Sequence, residues 1–342
     1  MTFSPSAAVD GAVYVGSVTS TGVKTKPLLV GLVTVCALGA AVLVALWSRP
    51  ASPGRSAAVA TTTPRWAELE EVTGFGPNPS NLKMYAYVPT SAGPRSPVVV
   101  GLHWCHGDAP AFHSGTRFAA LADKYGFILV YPSVTRSDGC FDVASAAALR
   151  RDGDGDPTGI MSMVRHAQRL YHADPERVFV TGLSSGAMMT NVLLALYPDV
   201  FDAGVAFAGV PFGCFAGPIG WNDVCAGGRI NRTPRQWGDA VRAAYPGYQG
   251  PRPKVQLWHG VDDEVLNFAN LGEEVDQWTD VLGAGPTPTS TDRPVSQRDW
   301  TRASYVDATG AVQVEAVTMP EVSHRLPVQE VAALTFFGLT DS

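Results

Sequence analysis

The stretch Thr181–Met189, TGLSSGAMM, holds two adjacent serines between two glycines. The apolar run RVFV before it is typical of a buried strand, and the residues after it favour a helix. Between a strand and a helix, the pattern G-x-S-x-G predicts a nucleophile elbow, a tight turn that exposes the hydroxyl of its middle serine; a structural turn is the alternative. We therefore predict that Ser184 is a nucleophile. Ser185 is then expected to begin the helix, with its backbone N–H facing a developing oxyanion.

Apolar runs of strand length alternate with helical patterns from Trp66 onward. The predicted strands are Met84–Val88, Pro97–His103, Phe127–Tyr131, Arg177–Thr181, Gly204–Ala208, Lys254–His259 and Val312–Val317. Several of these runs are apolar throughout, as strands covered on both faces are. The alternation predicts a mostly parallel central sheet with helices on both faces, whose ligands bind at the carboxyl ends of the strands.

The segment RDGDGDP precedes one of the helical patterns. Asp152, Asp154 and Asp156 have the spacing of a calcium loop, but its twelfth position is Met163, which cannot supply the bidentate carboxylate. We therefore interpret the segment as a turn, with Asp156 as the N-cap and Pro157 at the first helical position.

A serine nucleophile needs a base and an acid, which in this arrangement follow it along the chain in the order acid, then histidine. The histidines are residues 103, 106, 113, 166, 172, 259 and 324. His324 is the predicted base because it follows the last strand, whereas His259 lies at a strand end with more strand pattern to come. The acid is expected in the loop after LWHG, where the residue pattern alone leaves Asp262 and Asp263 open.

The second oxyanion donor is expected in the loop LHWCHGDAPAF, as the backbone N–H of Cys105 or of a neighbour. His103, His106 and His113 occur in or beside this loop. No carboxylate or further histidine lies at metal-binding spacing, so we predict no metal site.

The chain has a formal net charge of −6. Its first sixty residues carry Lys24, Lys26, Arg49 and Arg55 against the single acid Asp10, so the remainder is more acidic still. An acidic domain without basic clusters argues against nucleic acid as a partner.

Residues 28–47 are free of charge and long enough to span a bilayer. They follow an N-terminal segment, 1–27, and precede a tether rich in proline, serine and threonine, 48–65; residues 66–342 form the predicted catalytic domain. Three interpretations stay open: a retained signal anchor, a signal peptide cleaved near Ala58–Ala60, or a helix of a soluble cytosolic protein. We expect one of the first two, and therefore an extracellular domain that contacts the membrane only through residues 28–47.

Four of the five cysteines lie outside that apolar segment, an even number that suits two disulfides in an exported domain. Cys214 and Cys225 form the obvious local pair, which leaves Cys105 with Cys140. Four buried free thiols are the alternative.

These segments resemble one family, the esterases that include acetylxylan esterases, feruloyl esterases and polyhydroxybutyrate depolymerases. LHWCHGDAPAF, GCFDVAS, GLSSGAMMTNVLLALYPDVFDAGVAFAGVPFGC and RPKVQLWHGVDDEVLNFAN carry the resemblance, which runs from about Met84 to Val328. It implies an α/β-hydrolase fold and a serine esterase. The aromatic Trp104 and the GDAPAF continuation are most similar to acetylxylan esterases. Phe141 stands where the family pattern has tryptophan.

The resemblance implies roles for individual residues. The nucleophile is Ser184, the base is His324, the His-Gly-x-x-Asp spacing selects Asp263 over Asp262 as the acid, and the oxyanion donors are the N–H groups of Cys105 and Ser185. The two disulfides fit the family's cysteine positions. Trp104 or Trp221 can stack on a sugar or an aromatic acyl group, or can be a packing residue.

We expect a monomer that acts on ester-bearing polysaccharide and needs no cofactor. A polyhydroxyalkanoate depolymerase, acting on a polyester, is the alternative within the class. A non-catalytic cell-surface binding protein on the same scaffold is the alternative from a different class.

Overall fold

The computed structural model describes residues 68–294 and 298–340. Its strands are β1 Glu70–Val72, β2 Lys83–Tyr87, β3 Val98–Leu102, β4 Ile128–Ser133, β5 Val178–Leu183, β6 Ala203–Phe207, β7 Lys254–Gly260, β8 Ser290–Asp292, β9 Thr301–Val306 and β10 Val312–Met319. Its helices are α1 Ala109–Gly115, α2 Phe118–Tyr125, α3 Asp156–Leu170, α4 Ser185–Leu196, α5 Asp223–Ala226, α6 Pro234–Ala244, α7 Ala269–Leu282 and α8 Glu330–Phe337.

In the described part of the chain the strands form one sheet in the order β1-β2-β4-β3-β5-β6-β7-β10-β9-β8. The six central strands are parallel to one another: β4, β3, β5, β6, β7 and β10. The outer pairings are antiparallel. All seven strands predicted from the sequence are present, with ends shifted by one or two residues. Strands β1, β8 and β9 were not predicted because they lack a long apolar run; every residue of β8 is exposed.

Successive residues of the central strands enter opposite hydrophobic cores. In β3, Val98 and Val100 belong to the core that includes side chains of α3, α4, α6 and α7, whereas Val99 belongs to the core that includes side chains of α1, α2 and α8. This alternation follows from the twofold side-chain period of a strand, and burial on both faces explains the continuous apolar runs. The α/β-hydrolase fold expected from the sequence is confirmed.

The start of α3 differs from the expectation. The N-cap is Gly155, not Asp156, and it makes no side-chain capping bond. Asp156 lies one residue inside the helix, fully buried, and accepts hydrogen bonds from both Nη atoms of Arg136 and from the N–H of Asp142. A buried carboxylate needs such partners, and this requirement outweighs the local capping preference.

The predicted N-terminal segments, 1–27, 28–47 and 48–65, lie outside the described residues. Among the residues that the structure does describe, no helix has the length and apolar character needed to cross a membrane.

Candidate active site

Ser184 lies at the turn between β5 and α4, at the carboxyl end of the sheet. Its backbone has φ 56° and ψ −115°, a positive φ that is strained for any residue with a Cβ. The flanking glycines permit the turn: a Cβ on Gly182 would lie 2.9 Å from Gly186 Cα, and one on Gly186 would lie 2.8 Å from the carbonyl oxygen of His103. The turn therefore packs tightly against the loop that follows β3.

Three side chains from separate loops lie in one hydrogen-bonded row. The Nε2 atom of His324, in the loop after β10, is 2.9 Å from Ser184 Oγ, and its Nδ1 is 2.8 Å from Asp263 Oδ2, in the loop after β7. A carboxylate can only accept, so Nδ1 carries the proton and Nε2 is free to accept from the serine hydroxyl. This is the geometry in which an imidazole can take a proton from a serine.

The carboxylate of Asp263 is buried and fully hydrogen-bonded. Oδ1 accepts from the N–H groups of Val265 (2.9 Å) and Leu266 (2.7 Å), and Oδ2 faces His324 and His259. Burial disfavours the charged form, but the hydrogen bonds from His259, His324 and Leu266 outweigh it and hold the pKa of Asp263 well below its usual range. The carboxyl therefore stays ionised beside the imidazole, whereas its neighbour Asp262 is exposed.

His259 contacts the same carboxylate from behind, a contact that the sequence analysis missed. Its Nε2 is 2.9 Å from the carbonyl oxygen of Leu266 and 3.3 Å from Asp263 Oδ2, and its side chain is fully buried. Burial disfavours its charged form, but the hydrogen bonds to Asp263 and to the Leu266 carbonyl raise the pKa of His259. His259 is separated from Ser184 by Asp263, and the spacing His-Gly-x-x-Asp was the only sequence signal for this pairing.

The two predicted oxyanion donors, Cys105 and Ser185, line the same cavity as Ser184. Ser185 is the first residue of α4, where a helix N–H has no intrahelical partner. Cys105 lies in the turn after β3 and is bonded to Cys140 by a disulfide, while the N–H of His106 donates to Asp138 across the same two segments. In the described part of the chain, no protein atom accepts a hydrogen bond from the Cys105 N–H.

No group of three or more metal-binding side chains comes together among the described residues. His103 is fully buried at the start of the loop after β3, whereas His113 packs against Tyr87 and Tyr131.

An open cleft of about 1430 Å³ surrounds Ser184 and His324. Trp104 lines one wall and is partly buried against Phe112. Trp221 lines the cleft with half of its surface exposed and stacks on Phe215, with ring centroids 5.0 Å apart. The Cys214–Cys225 disulfide closes the loop that carries Trp221.

Residues 82–286, more than half of the chain, match the model of one protein family, described as Esterase PHB depolymerase. The chain belongs to this family.

Individual members support the same assignment. An acetylxylan esterase of Coprinopsis cinerea is 44% identical over 278 residues, covering 80% of this chain and 73% of its own. A feruloyl esterase B of Talaromyces stipitatus is 40% identical over 279 residues, covering 80% of this chain and 76% of its own. An acetyl xylan esterase structure from Aspergillus awamori has a TM-score of 0.75 and 37% identity, covering 80% of this chain and all of that one. The protein is a carboxylic ester hydrolase.

Proposed function

We propose that the protein is an exported serine esterase that removes acyl groups from plant polysaccharide through an acyl-enzyme on Ser184. The observation that carries this proposal is the unbroken row from Ser184 Oγ through His324 to Asp263, at 2.9 and 2.8 Å. It lies at the rim of a cleft large enough for an acyl group together with part of a polymer.

In the first half-reaction Ser184 Oγ attacks the ester carbonyl while its proton moves to His324 Nε2. Asp263 stabilises the imidazolium that forms, since its carboxylate already accepts from Nδ1. The N–H groups of Cys105 and Ser185 donate to the oxyanion. The tetrahedral intermediate then expels the polysaccharide alkoxide, which takes the proton from His324 and leaves an ester between the acyl group and Ser184.

In the second half-reaction a water molecule takes the position of the leaving alcohol. His324 removes its proton as it attacks the acyl carbonyl, and the same two N–H groups hold the second oxyanion. Collapse returns the proton to Ser184 Oγ and releases the carboxylic acid. No cofactor takes part in this sequence.

The substrate class rests on the relatives and on the cleft. Two relatives described above are named acetylxylan esterase and feruloyl esterase B. Trp221 is half exposed in the lining of the cleft that holds Ser184, where a sugar ring or an aromatic acyl group can stack on it, and Trp104 belongs to the same lining. We assign both residues to substrate binding.

Export is supported by the two disulfides, which persist in oxidising compartments and are rare in the cytosol. The domain is then extracellular, either released or held by residues 28–47, and acts as a monomer.

A second substrate class has its own support. Ile219, Trp221 and Val265 line the cleft and are strongly exposed, and such a cluster of apolar side chains suits a water-poor polyester surface. The family also carries the name of polyhydroxybutyrate depolymerases. We therefore retain polyester as the alternative substrate.

The test uses the full chain. We expect the wild type to hydrolyse p-nitrophenyl acetate and the Ser184→Ala variant to lose at least 1,000-fold in kcat. Equal, slow hydrolysis by both proteins would instead favour a non-catalytic binding protein. Acetate released from acetylated xylan, ferulate from feruloylated arabinoxylan and hydroxybutyrate from polyhydroxybutyrate then separate the substrate classes.

A further inference from the structure

His103 is a fully buried histidine outside the Ser184–His324–Asp263 row. It directly follows β3 and precedes Trp104 and Cys105, so it lies at the base of the loop that carries the proposed oxyanion donor. Phe141 covers its ring at a centroid distance of 4.7 Å. A buried imidazole at this position needs a partner for each ring nitrogen.

The partners of His103 fix its protonation. Nδ1 is 2.7 Å from the carbonyl oxygen of Trp104, which can only accept, and Nε2 is 3.1 Å from the backbone N of Val134, which can only donate. The ring is therefore neutral, with its proton on Nδ1. Burial also lowers the pKa of His103, which favours this neutral form.

The bond to Trp104 determines how the next N–H points. In a planar trans peptide the C=O and the N–H project in opposite directions. The Trp104 carbonyl is held on one side by His103 Nδ1–H and by the N–H of Gly107 at 3.0 Å. The Cys105 N–H of that same peptide therefore points to the opposite side, free of protein acceptors in the described residues.

The Gly107 N–H holds the same carbonyl from within the loop, and two further restraints act on neighbouring groups. The Cys105–Cys140 disulfide holds the Cys105 side chain, and the His106 N–H bond to Asp138 holds the following peptide. His103 connects the Trp104–Cys105 peptide to the carboxyl ends of β3 and β4, because it directly follows β3 and accepts from the N–H of Val134 just after β4. A flipped peptide would present a carbonyl oxygen to an oxyanion and repel it.

We propose that His103 is a positioning residue that fixes the Trp104–Cys105 peptide so that its N–H serves the oxyanion hole. The inference rests on the proposed function, because it concerns the same hydrolytic site. It assigns a task to a residue that never touches the substrate.

Two substitutions separate the two hydrogen bonds of the ring. His103→Asn keeps an N–H donor near the Nδ1 position and loses the acceptor for Val134; His103→Gln puts its amide near the Nε2 position and loses the donor for Trp104. If His103 positions the oxyanion donor, His103→Gln lowers kcat roughly 10- to 100-fold with KM within about threefold of wild type, whereas His103→Asn stays within about fivefold. Equal losses in both variants, or a larger loss in His103→Asn, would overturn the proposal.

A boronic acid inhibitor supplies a second readout, since its tetrahedral adduct with Ser184 has an oxygen in the oxyanion hole. Its Ki should rise in His103→Gln by the same factor as kcat/KM falls, a change that a loss of general stability alone does not produce. An unchanged Ki alongside a reduced kcat would contradict the inference.

The wild type gives a test that does not depend on the folding of any variant. After ¹⁵N-histidine labelling, NMR should show His103 with a proton on Nδ1 and none on Nε2. A proton on Nε2 would refute the proposal. Ser184→Ala in the same kinetic series distinguishes failure of the proposed function from failure of the positioning role. If the kcat of Ser184→Ala equals that of wild type, the proposed function fails. If only His103→Gln has the kcat of wild type, only the positioning role of His103 fails.

Discussion

His324 Nδ1 lies 2.8 Å from Asp263 Oδ2, although the two residues are 61 positions apart in the chain. The contact forms because β7 and β10 are parallel neighbours, so the loops that follow them meet at one edge of the sheet. Asp262, the adjacent acid, is exposed and its N–H instead donates to the carbonyl of Val322. The two aspartates therefore make a matched pair for mutation.

We expect Asp263→Asn to lower kcat about 10⁴-fold, because the amide can donate to Nδ1 and favours the wrong histidine tautomer. Asp262→Asn should stay within about twofold of wild type. The measurement is kcat for p-nitrophenyl acetate, with circular dichroism to verify folding. Comparable losses in the two variants would remove Asp263 from the proposed mechanism.

Gly186→Ala should impair both folding and activity. Its new Cβ would lie 2.8 Å from the His103 carbonyl oxygen, which is rigid backbone of the oxyanion loop. We expect a loss of about 3 kcal/mol in the free energy of unfolding and a kcat loss of at least 10-fold in the folded fraction. The control is Gly272→Ala in α7, where a Cβ meets no atom within 4 Å; it should stabilise the protein by about 0.5–1 kcal/mol. Urea unfolding measures the free energy of unfolding of both variants. A Gly186→Ala variant as stable as wild type would contradict the close packing of the turn.

The sequence predicted the central strands and the nucleophile turn because both depend on local chemistry. Apolar runs such as Val98–Leu102 are explained by burial on both faces, and Gly182 is explained by its contact with Gly186 within one turn. The choice between Asp262 and Asp263 came from family resemblance, because adjacent residues of one type differ only in the direction of their side chains.

What the sequence did not predict depends on contacts between distant segments. His103 and His259 look alike in sequence, yet the first bonds Trp104 and Val134 and the second bonds Asp263. Asp156 was expected to cap a helix, and its burial against Arg136 became visible only with the loops assembled. Such roles follow from the tertiary environment rather than from spacing along the chain.

The two disulfides should affect catalysis differently. Cys105–Cys140 restrains the oxyanion loop, whereas Cys214–Cys225 closes the loop that carries Trp221. From their sequence separations of 35 and 11 residues, replacing each pair by alanines should cost about 4 and about 3 kcal/mol of stability. We expect the first double variant to lose about 10-fold in kcat, and the second to raise KM for polymeric substrate with little change in kcat.

Steady-state kinetics on acetylated xylan test this pair of variants, each compared at a temperature well below its own unfolding midpoint. If both variants change the same kinetic parameter, the proposed division between oxyanion loop and substrate loop is wrong.

Glu274 should make the protein less stable as the pH rises through neutrality. Its carboxyl is buried in α7 and accepts a hydrogen bond from Asn191 Nδ2 at 2.6 Å, and burial raises its pKa from 4.5 to about 7. Between these values the unfolded chain ionises while the folded protein keeps its proton, so folding stability is full below pH 4.5 and falls as the pH rises to about 7. The difference between the two pKa values corresponds to a loss of roughly 3 kcal/mol in the free energy of unfolding.

Glu274→Gln keeps an oxygen for Asn191 and cannot ionise, so its free energy of unfolding should rise relative to wild type by roughly 3 kcal/mol between pH 4.5 and pH 8. Urea unfolding at several pH values measures this difference, with Glu70→Gln at an exposed position of β1 as the control. A stability difference between Glu274→Gln and wild type that stays constant across this range would mean that Glu274 is already ionised in the folded protein, with its charge balanced by His259.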